Sequence, residues 1–284
     1  MCIVVKIKRV FVCFFAAVIL FAALGAAYLH GVAEEGLQLP ILMYHSVLKD
    51  TSRTGKYIVT PRQIEEDIEY LTARGYKCVS AENVINHVLH GEPLPEKPYM
   101  LTFDDGSYNN LTYVLPILEK YNAYAVISIV GSYSEQFSET GEANPAYSYL
   151  RWEDIKSLAE TGRIEFGNHS YDMHSISNGR IGSARARGED KWVYIDKFTR
   201  DYERTQSLLA ENCNITPVIY TYPYGAYCDE SQEILHNGGI IMTLTCNEGI
   251  NTLTSDSDCL YFMKRFNRSG DLICSDFFER CGIK

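Results

Sequence analysis

The chain has 284 residues, of which 26 are basic and 36 acidic, and its formal net charge at neutral pH is −10. An acidic balance of this size argues against nucleic acid as a partner, because phosphate groups repel it. The roughly 250 residues that follow the N-terminal segment suffice for one well-buried core. No linker-like, repeated or low-complexity tract divides them, so one domain of catalytic size is expected.

The N-terminus has the pattern of a membrane segment. Lys6, Lys8 and Arg9 precede the 20 residues 10–29, which carry no charged side chain. A spanning helix needs about 20 apolar residues, whereas the apolar core of a cleaved signal peptide usually has roughly 7 to 15. The length therefore favours an uncleaved transmembrane helix with its basic flank in the cytoplasm, although the small residue Ala33 still allows cleavage.

These features predict a cytoplasmic stub with a signal-anchor helix over residues 1–33 and a catalytic domain over residues 34–284. The domain is expected outside the cell membrane in a single-pass protein, or secreted if the segment is cleaved. Seven cysteines lie beyond the membrane segment, and an odd number cannot all pair within one chain. Several thiols are therefore expected to be free, and no Cys-x-x-Cys pair indicates a thiolate metal site.

Short apolar runs alternate with helical patterns along the rest of the chain. The runs predict seven strands, at residues 41–44, 99–103, 123–130, 164–166, 218–222, 240–244 and 260–263. Helices are predicted from the N-cap Thr60 with Pro61 to a stop at Gly75, and at 110–121, 152–162, 196–212 and 230–238. This alternation favours an α/β fold, here a distorted, incomplete (β/α) barrel of about seven parallel strands. Active sites of such folds lie at the carboxyl ends of the strands.

Polar residues cluster where the predicted strands end. The strand ends carry the segments Tyr44-His45, Asp104-Asp105-Gly106, Asn168-His169 and Tyr222-Pro223-Tyr224-Gly225. Adjacent carboxylates at Asp104 and Asp105 need a neutralising partner if they end a buried strand, yet Asp-Gly is also a common turn pair. This segment alone leaves a functional site and a simple turn equally open.

Two histidines change that balance. His169 and His174 are five residues apart, which on a helix would separate them by about 140°, so they can share a ligand only from a loop. Two neutral imidazoles and one carboxylate form a three-ligand set that leaves a position for water, as in catalytic zinc sites. Nickel, cobalt or iron also suits this set. The remaining histidines outside the strand ends are interpreted as surface or satisfied core residues: His30, His87, His90 and His236.

The combination of the segments 102–106 and 167–174 resembles the polysaccharide deacetylase family of carbohydrate esterases. The resemblance implies that Asp104 is the general base and that Asp105, His169 and His174 hold a divalent metal, with zinc expected. The five-residue spacing of the histidines is similar to the branch of poly-β-1,6-N-acetylglucosamine deacetylases. Residues 179–182 and 188–189 also look like a loop of Gram-positive relatives, for which the sequence indicates no role.

The resemblance assigns the other site residues less directly. The backbone N–H of Tyr224 corresponds to an oxyanion donor, but Thr221 stands where the family usually has an arginine that positions the base. Arg265 and Arg268 are candidates to replace it, although an arginine pair on a surface loop is the favoured interpretation. No histidine follows His236 to act as the usual acid, whereas the Tyr44-His45 segment matches the position that supplies it in the N-acetylglucosamine branch. His45 is therefore predicted as the general acid, with a buried histidine that merely ends a strand as the alternative.

The predicted function is the metal-dependent removal of N-acetyl groups from a cell-surface or cell-wall polymer that contains N-acetylglucosamine. Peptidoglycan, chitooligosaccharides and xylan are alternative substrates for the same kind of site. A catalytically weak glycan-binding relative and a membrane-anchored scaffold are the alternatives from other functional classes, and both predict the loss of metal ligands.

Overall fold

The computed structural model describes residues 36–283, and the chain from Leu37 onward forms one compact unit. The predicted membrane segment at 10–29 and the predicted boundary between residues 33 and 34 lie outside the described residues. Within residues 36–283, every helix is too short or too polar to cross a membrane.

The centre of the fold is a parallel β-sheet. Strands among the described residues are β1 (Leu37–Leu39), β2 (Ile41–Tyr44), β3 (Ser46–Val47), β4 (Ile58–Val59), β5 (Lys77–Cys78), β6 (Pro98–Phe103), β7 (Ala125–Ile129), β8 (Ile164–Asn168), β9 (Ile176–Ser177), β10 (Arg180–Ile181), β11 (Ile219–Thr221), β12 (Met242–Leu244), β13 (Asn251–Leu253) and β14 (Phe266–Asn267). The main sheet runs in the order β12-β11-β8-β7-β6-β2-β14, with β5 added beside β6. All of its pairings are parallel, as the alternating pattern predicts.

Helices flank this sheet. Their bounds are Pro61–Ala73, Ala81–His90, Leu115–Tyr121, Gly131–Thr140, Trp152–Glu160, Lys191–Cys213, Asp229–Asn237 and Cys274–Arg280, with a π-helical turn over Asn110–Val114. The first begins at Thr60, whose side chain accepts from the N–H of Gln63 while Gln63 returns a bond to the Thr60 N–H, a capping box. All five predicted helices are present. The helix Lys191–Cys213 begins five residues before the predicted start, because the carboxylate of Asp190 caps it.

The seventh strand is the one element that the sequence misplaced. Residues 257–260 form a 3₁₀ turn, and Phe262 has a φ of 56°, in the left-handed region that an extended strand cannot use. The seventh strand of the main sheet is instead β14, which pairs with β2. Just before it, Met263 exchanges backbone hydrogen bonds with Thr243 and Thr245 at 2.8 and 2.9 Å. The segment from Met263 to β14 therefore joins the two ends of the strand path, and the barrel is strongly distorted.

The strand register sets where the functional residues lie. Tyr44 pairs with Phe103, and Ile129 pairs with Asn168, so β2, β6, β7 and β8 end at nearly the same level. Residues just after these ends emerge on one face of the barrel, at the carboxyl ends of the strands, because parallel strands share their direction. The core beneath this face is built from apolar strand side chains, among them the fully buried Phe103 and Ile127.

Candidate active site

The six predicted site residues line one cleft of about 890 Å³ at the carboxyl ends of the strands. They are His45, Asp104, Asp105, His169, His174 and Tyr224. The sequence placed these residues on four different segments, and the parallel register brings all four to one face. The cleft is open to solvent on one side, where the exposed rings of Tyr57 and Tyr224 stand.

Three of these residues present ligand atoms to a common point. One ligand atom from each of Asp105, His169 and His174 can be chosen so that all lie within 4.8 Å of one another. Oδ1 of Asp105 lies 3.1 Å from Nε2 of His174 and 3.6 Å from Nε2 of His169. Asp105 adopts a φ of 70°, a conformation uncommon outside glycine, which turns its carboxylate toward the imidazoles. The loop after β8 thus brings the two histidines together as their spacing required.

The hydrogen bond of His169 fixes its tautomer. Nδ1 lies 2.7 Å from the carbonyl oxygen of Thr221, and a carbonyl can only accept, so Nδ1 carries the proton. Nε2 of a neutral His169 then directs a lone pair toward the carboxylate of Asp105. Oδ1 of Asp105 is buried and accepts no hydrogen bond of normal geometry. A lone pair facing a buried carboxylate oxygen is the arrangement that a divalent cation between them satisfies.

Arg265 holds Asp104 in place. Its Nη1 and Nη2 atoms donate to the two carboxylate oxygens at 2.7 and 2.8 Å, a bidentate pair. The same guanidinium donates to Oγ1 of Thr102 and to the carbonyl of Thr245, and both charged side chains are almost fully buried. Burial opposes the ionisation of Asp104, but Arg265 outweighs it and lowers the pKa of the carboxyl group.

The favoured interpretation of Arg265 and Arg268 as a surface pair is therefore wrong. Both side chains are at most 1% exposed, because they flank β14 inside the fold rather than follow a strand at 260–263. Arg268 donates through Nε to Asp67 at 2.8 Å, and the hydroxyl of Tyr44 donates to the same carboxylate oxygen at 2.9 Å. Of the two candidates, Arg265 is thus the one that binds Asp104, while Arg268 stabilises the end of β2 next to His45.

His45 follows β2 and faces both carboxylates. Burial lowers the pKa of its imidazole, and the nearby charges of Asp104 and Asp105 oppose that shift. Its ring lies 4.8 Å from the ring of Tyr57, between centroids, and its Nδ1 atom is buried without a hydrogen-bond partner. Tyr57 was missed in the sequence, where an isolated tyrosine in a polar loop carries no distinguishing pattern.

The turn that carries Tyr224 lies next to His174 in the same cleft. Tyr224 has a φ of 58°, and its ring lies 4.9 Å from that of His174. Two backbone bonds close the turn, from Gly225 N–H to the Tyr222 carbonyl at 2.8 Å and from Ala226 N–H to the Pro223 carbonyl at 3.1 Å. Neither bond uses the N–H of Tyr224, the group predicted to face an oxyanion.

Residues 91–242 match the sequence profile of the polysaccharide deacetylase family. The chain belongs to this family. The match covers β6, β7, β8 and β11 with the loops that carry Asp104, Asp105, His169, His174 and Tyr224. The predicted class, a hydrolase of the polysaccharide deacetylase type, is thereby confirmed at the level of the family.

Two similar proteins carry the same name. A poly-β-1,6-N-acetyl-D-glucosamine N-deacetylase of Escherichia coli K12 is 25% identical over 74% of this chain, which covers 34% of that protein's length. The chain thus spans about a third of this relative. The protein of the same name from Staphylococcus epidermidis is 22% identical over 84% of this chain and 76% of its own length.

Solved structures show the same fold. A de-N-acetylase from Aggregatibacter actinomycetemcomitans superimposes with a TM-score of 0.74 and 22% identity, covering 84% of this chain and 99% of its own. This polysaccharide deacetylase fold therefore accounts for nearly all of the described residues.

Proposed function

We propose that this polysaccharide deacetylase removes N-acetyl groups from a polymer of N-acetylglucosamine by metal-dependent hydrolysis. The observation that carries the proposal is the convergence of Asp105, His169 and His174 beside the buried pair of Asp104 and Arg265 in one open cleft. Neither a glycan-binding relative nor a scaffold needs these groups together.

The donor set suits a divalent metal. Asp105, His169 and His174 would hold it, with Thr221 fixing the His169 tautomer from behind. Two imidazoles and one carboxylate favour zinc, while nickel, cobalt and iron fit the same donors. When bound, the metal would supply Lewis-acid polarisation of the acetyl carbonyl and lower the pKa of the attacking water.

The chain's own residues perform the proton transfers. Asp104 stays ionised because Arg265 binds both of its oxygens, and it accepts the proton of the water that attacks the acetyl carbonyl. The backbone N–H of Tyr224 donates to the oxygen that becomes negatively charged, a contact worth on the order of 3 kcal/mol. His45, in its protonated form, then donates a proton to the departing amine, which is a poor leaving group as an anion, and it regains a proton as Asp104 releases the one it accepted.

The substrate assignment rests on the similar proteins. Two of them are named for poly-β-1,6-N-acetyl-D-glucosamine, and this chain covers 76% of the staphylococcal one. An open cleft lined by the exposed rings of Tyr57 and Tyr224 can accept a unit within a polymer, since aromatic faces pack against sugar rings. We further propose that the domain works outside the cell, anchored by the predicted helix at 10–29, or secreted if that helix is cleaved.

The test measures acetate release by the purified protein from poly-N-acetylglucosamine, peptidoglycan, chitooligosaccharides and acetylated xylan, with and without a chelator. We expect release to stop on chelation, to return with zinc, and to be fastest with poly-N-acetylglucosamine. Asp105→Asn should abolish both metal binding and turnover, whereas Asp172→Asn, which alters an exposed carboxylate between His169 and His174, should leave both unchanged. Activity that survives complete metal removal would refute the mechanism.

A further inference from the structure

The loop that follows His174 is fastened to the turn that carries Tyr224. Directly after His174, β9 and β10 form a hairpin whose end is closed by a hydrogen bond from Gly182 N–H to the Ser175 carbonyl at 3.0 Å. The chain then continues to the helix Lys191–Cys213. We call residues 180–194 the brace. It includes residues 180–182 and 188–189 of the pattern for which the sequence indicated no role.

The first contact of the brace with the turn is between backbones. A Cβ atom built on Gly182 would lie 2.3 Å from the carbonyl oxygen of Pro223 and 3.0 Å from its carbonyl carbon. No side chain fits in that space, so only glycine permits the approach. Gly182, which follows the hairpin after His174, is thus in direct van der Waals contact with Pro223, the residue before Tyr224.

The second contact is polar and buried. Oγ of Ser183 donates to the carbonyl of Ala226 at 3.1 Å, on the far side of the turn from Pro223. The hydroxyl of Tyr194 donates to the Ser183 carbonyl at 2.6 Å, and both Ser183 and Tyr194 are fully buried. The helix Lys191–Cys213 therefore holds Ser183, and Ser183 holds the turn.

Further bonds keep the brace rigid and the turn confined. Arg180 pairs with Glu189 and donates to the Ala184 carbonyl at 3.1 Å, which folds the brace upon itself. On the opposite side of the turn, a Cβ atom on Gly225 would lie 2.7 Å from the backbone nitrogen of Cys246. The turn is consequently packed between the brace and the loop after β12.

We infer that the brace positions the N–H of Tyr224 relative to the metal ligands, with Gly182, Ser183 and Tyr194 as its positioning residues. This inference rests on the proposed function, because it assigns the turn a role in turnover. The brace begins in the hairpin that follows His174 and contacts the turn through Gly182 and Ser183, so it links the segment of one proposed metal ligand to the proposed oxyanion donor. Movement of the turn by a fraction of an ångström would weaken transition-state contacts more than substrate binding.

The test compares variants in matched pairs. Tyr194→Phe removes the bond to Ser183, and Tyr202→Phe removes a bond of 2.8 Å from the same helix to Gly238, which lies outside the cleft lining. We expect Tyr194→Phe to lower kcat for acetate release by about 3- to 10-fold with KM and metal content unchanged. Tyr202→Phe should lower the thermal stability about as much as Tyr194→Phe does, but it should leave kcat unaltered.

A second pair places alanine at two positions with positive φ, and the two differ in what the new side chain meets. Gly182→Ala would push against Pro223, while Gly179→Ala, also at positive φ, has no neighbour within 4 Å of the new Cβ atom. We expect Gly182→Ala to lower kcat by roughly 100-fold and Gly179→Ala to leave it near the wild-type value.

Hydrogen exchange of the turn separates this inference from the proposed function. The amides of Gly225 and Ala226 are measured in metal-free protein, where no turnover is needed. Faster exchange of these amides in Tyr194→Phe than in Tyr202→Phe supports the brace even if the wild type releases no acetate, an outcome that would overturn the proposed function alone. Equal exchange in the two variants, or equal kcat in an active protein, overturns the brace.

Discussion

Replacing Arg265 with leucine would leave the carboxylate of Asp104 buried without its paired charge. The guanidinium makes four hydrogen bonds, two to Asp104 and one each to Thr102 and Thr245, and none of its surface is exposed. Removing one partner of such a buried pair costs about 3–5 kcal/mol, because the remaining charge is not compensated. We expect the free energy of unfolding of Arg265→Leu to fall by that amount.

Denaturation in urea, followed by circular dichroism of chelator-treated protein, measures this loss. Arg62→Leu is the matched control, because its ion pair with Glu66 is largely exposed and should contribute less than about 1 kcal/mol. The double variant Arg265→Leu with Asp104→Asn should recover most of the lost stability, since it removes the unpaired charge. If the single and double variants unfold at the same urea concentration, the charge of Asp104 is not the cause and the reasoning is wrong.

Arg265→Leu should also change how activity depends on pH. The pKa of Asp104 is lowered in the folded protein, so its contribution to stability is present above the usual aspartate pKa of about 3.9 and is lost as the pH falls through the lower folded value. Without Arg265, burial is opposed only by the smaller effects of His169 and His45, and the pKa of Asp104 rises. The acid limb of kcat/KM should then move to higher pH in Arg265→Leu, and an unshifted limb would contradict the assignment of Asp104 as the base.

His45→Ala should bind metal as the wild type does and lower kcat by about 10²- to 10⁴-fold, with His90→Ala, an exposed histidine, as the control. A full rate in His45→Ala would place the acid elsewhere. Glu165→Ala removes the acceptor of the N–H groups of Ala81 and Glu82 at the start of the helix Ala81–His90, and should reduce the free energy of unfolding by about 1–3 kcal/mol. Glu160→Ala, at an exposed position, should not change the free energy of unfolding. Equal urea midpoints for the two variants would contradict the capping role of Glu165. All seven described cysteines are unpaired, so denatured, unreduced protein should react with at least seven equivalents of Ellman's reagent, and a smaller number would reveal disulfides.

Much of the site could be predicted because it depends on local pattern. Apolar runs of three to eight residues predicted the parallel strands, and polar residues directly after β2, β6 and β8 had to emerge at one face. The two histidines and the adjacent carboxylates then together predicted a site with three metal ligands. The capped helix that starts after Thr60 was equally local, because its signals lie within four residues.

What the sequence could not provide depends on distant partners. Arg265 is buried because Asp104, 161 residues earlier, neutralises it, and no local pattern separates such an arginine from an exposed one. The helix Gly131–Thr140 was missed because it is polar and buries only Gly131 and Ser134, which leaves no apolar stripe. The strand predicted at 260–263 failed because Phe262 turns the chain at a positive φ that its apolar neighbours do not signal.

Because β14 lies near the end of the chain, the residues of the site are synthesised well before the arginine that binds Asp104. Asp105, His169 and His174 emerge from the ribosome long before Arg265, which reaches Asp104 only when β14 has docked on β2. Contacts between such distant segments form late in folding, because closing the long intervening loop is entropically costly. A nascent or prematurely terminated chain that lacks β14 would thus carry the three residues of the proposed metal site but not the arginine that fixes the carboxylate of Asp104.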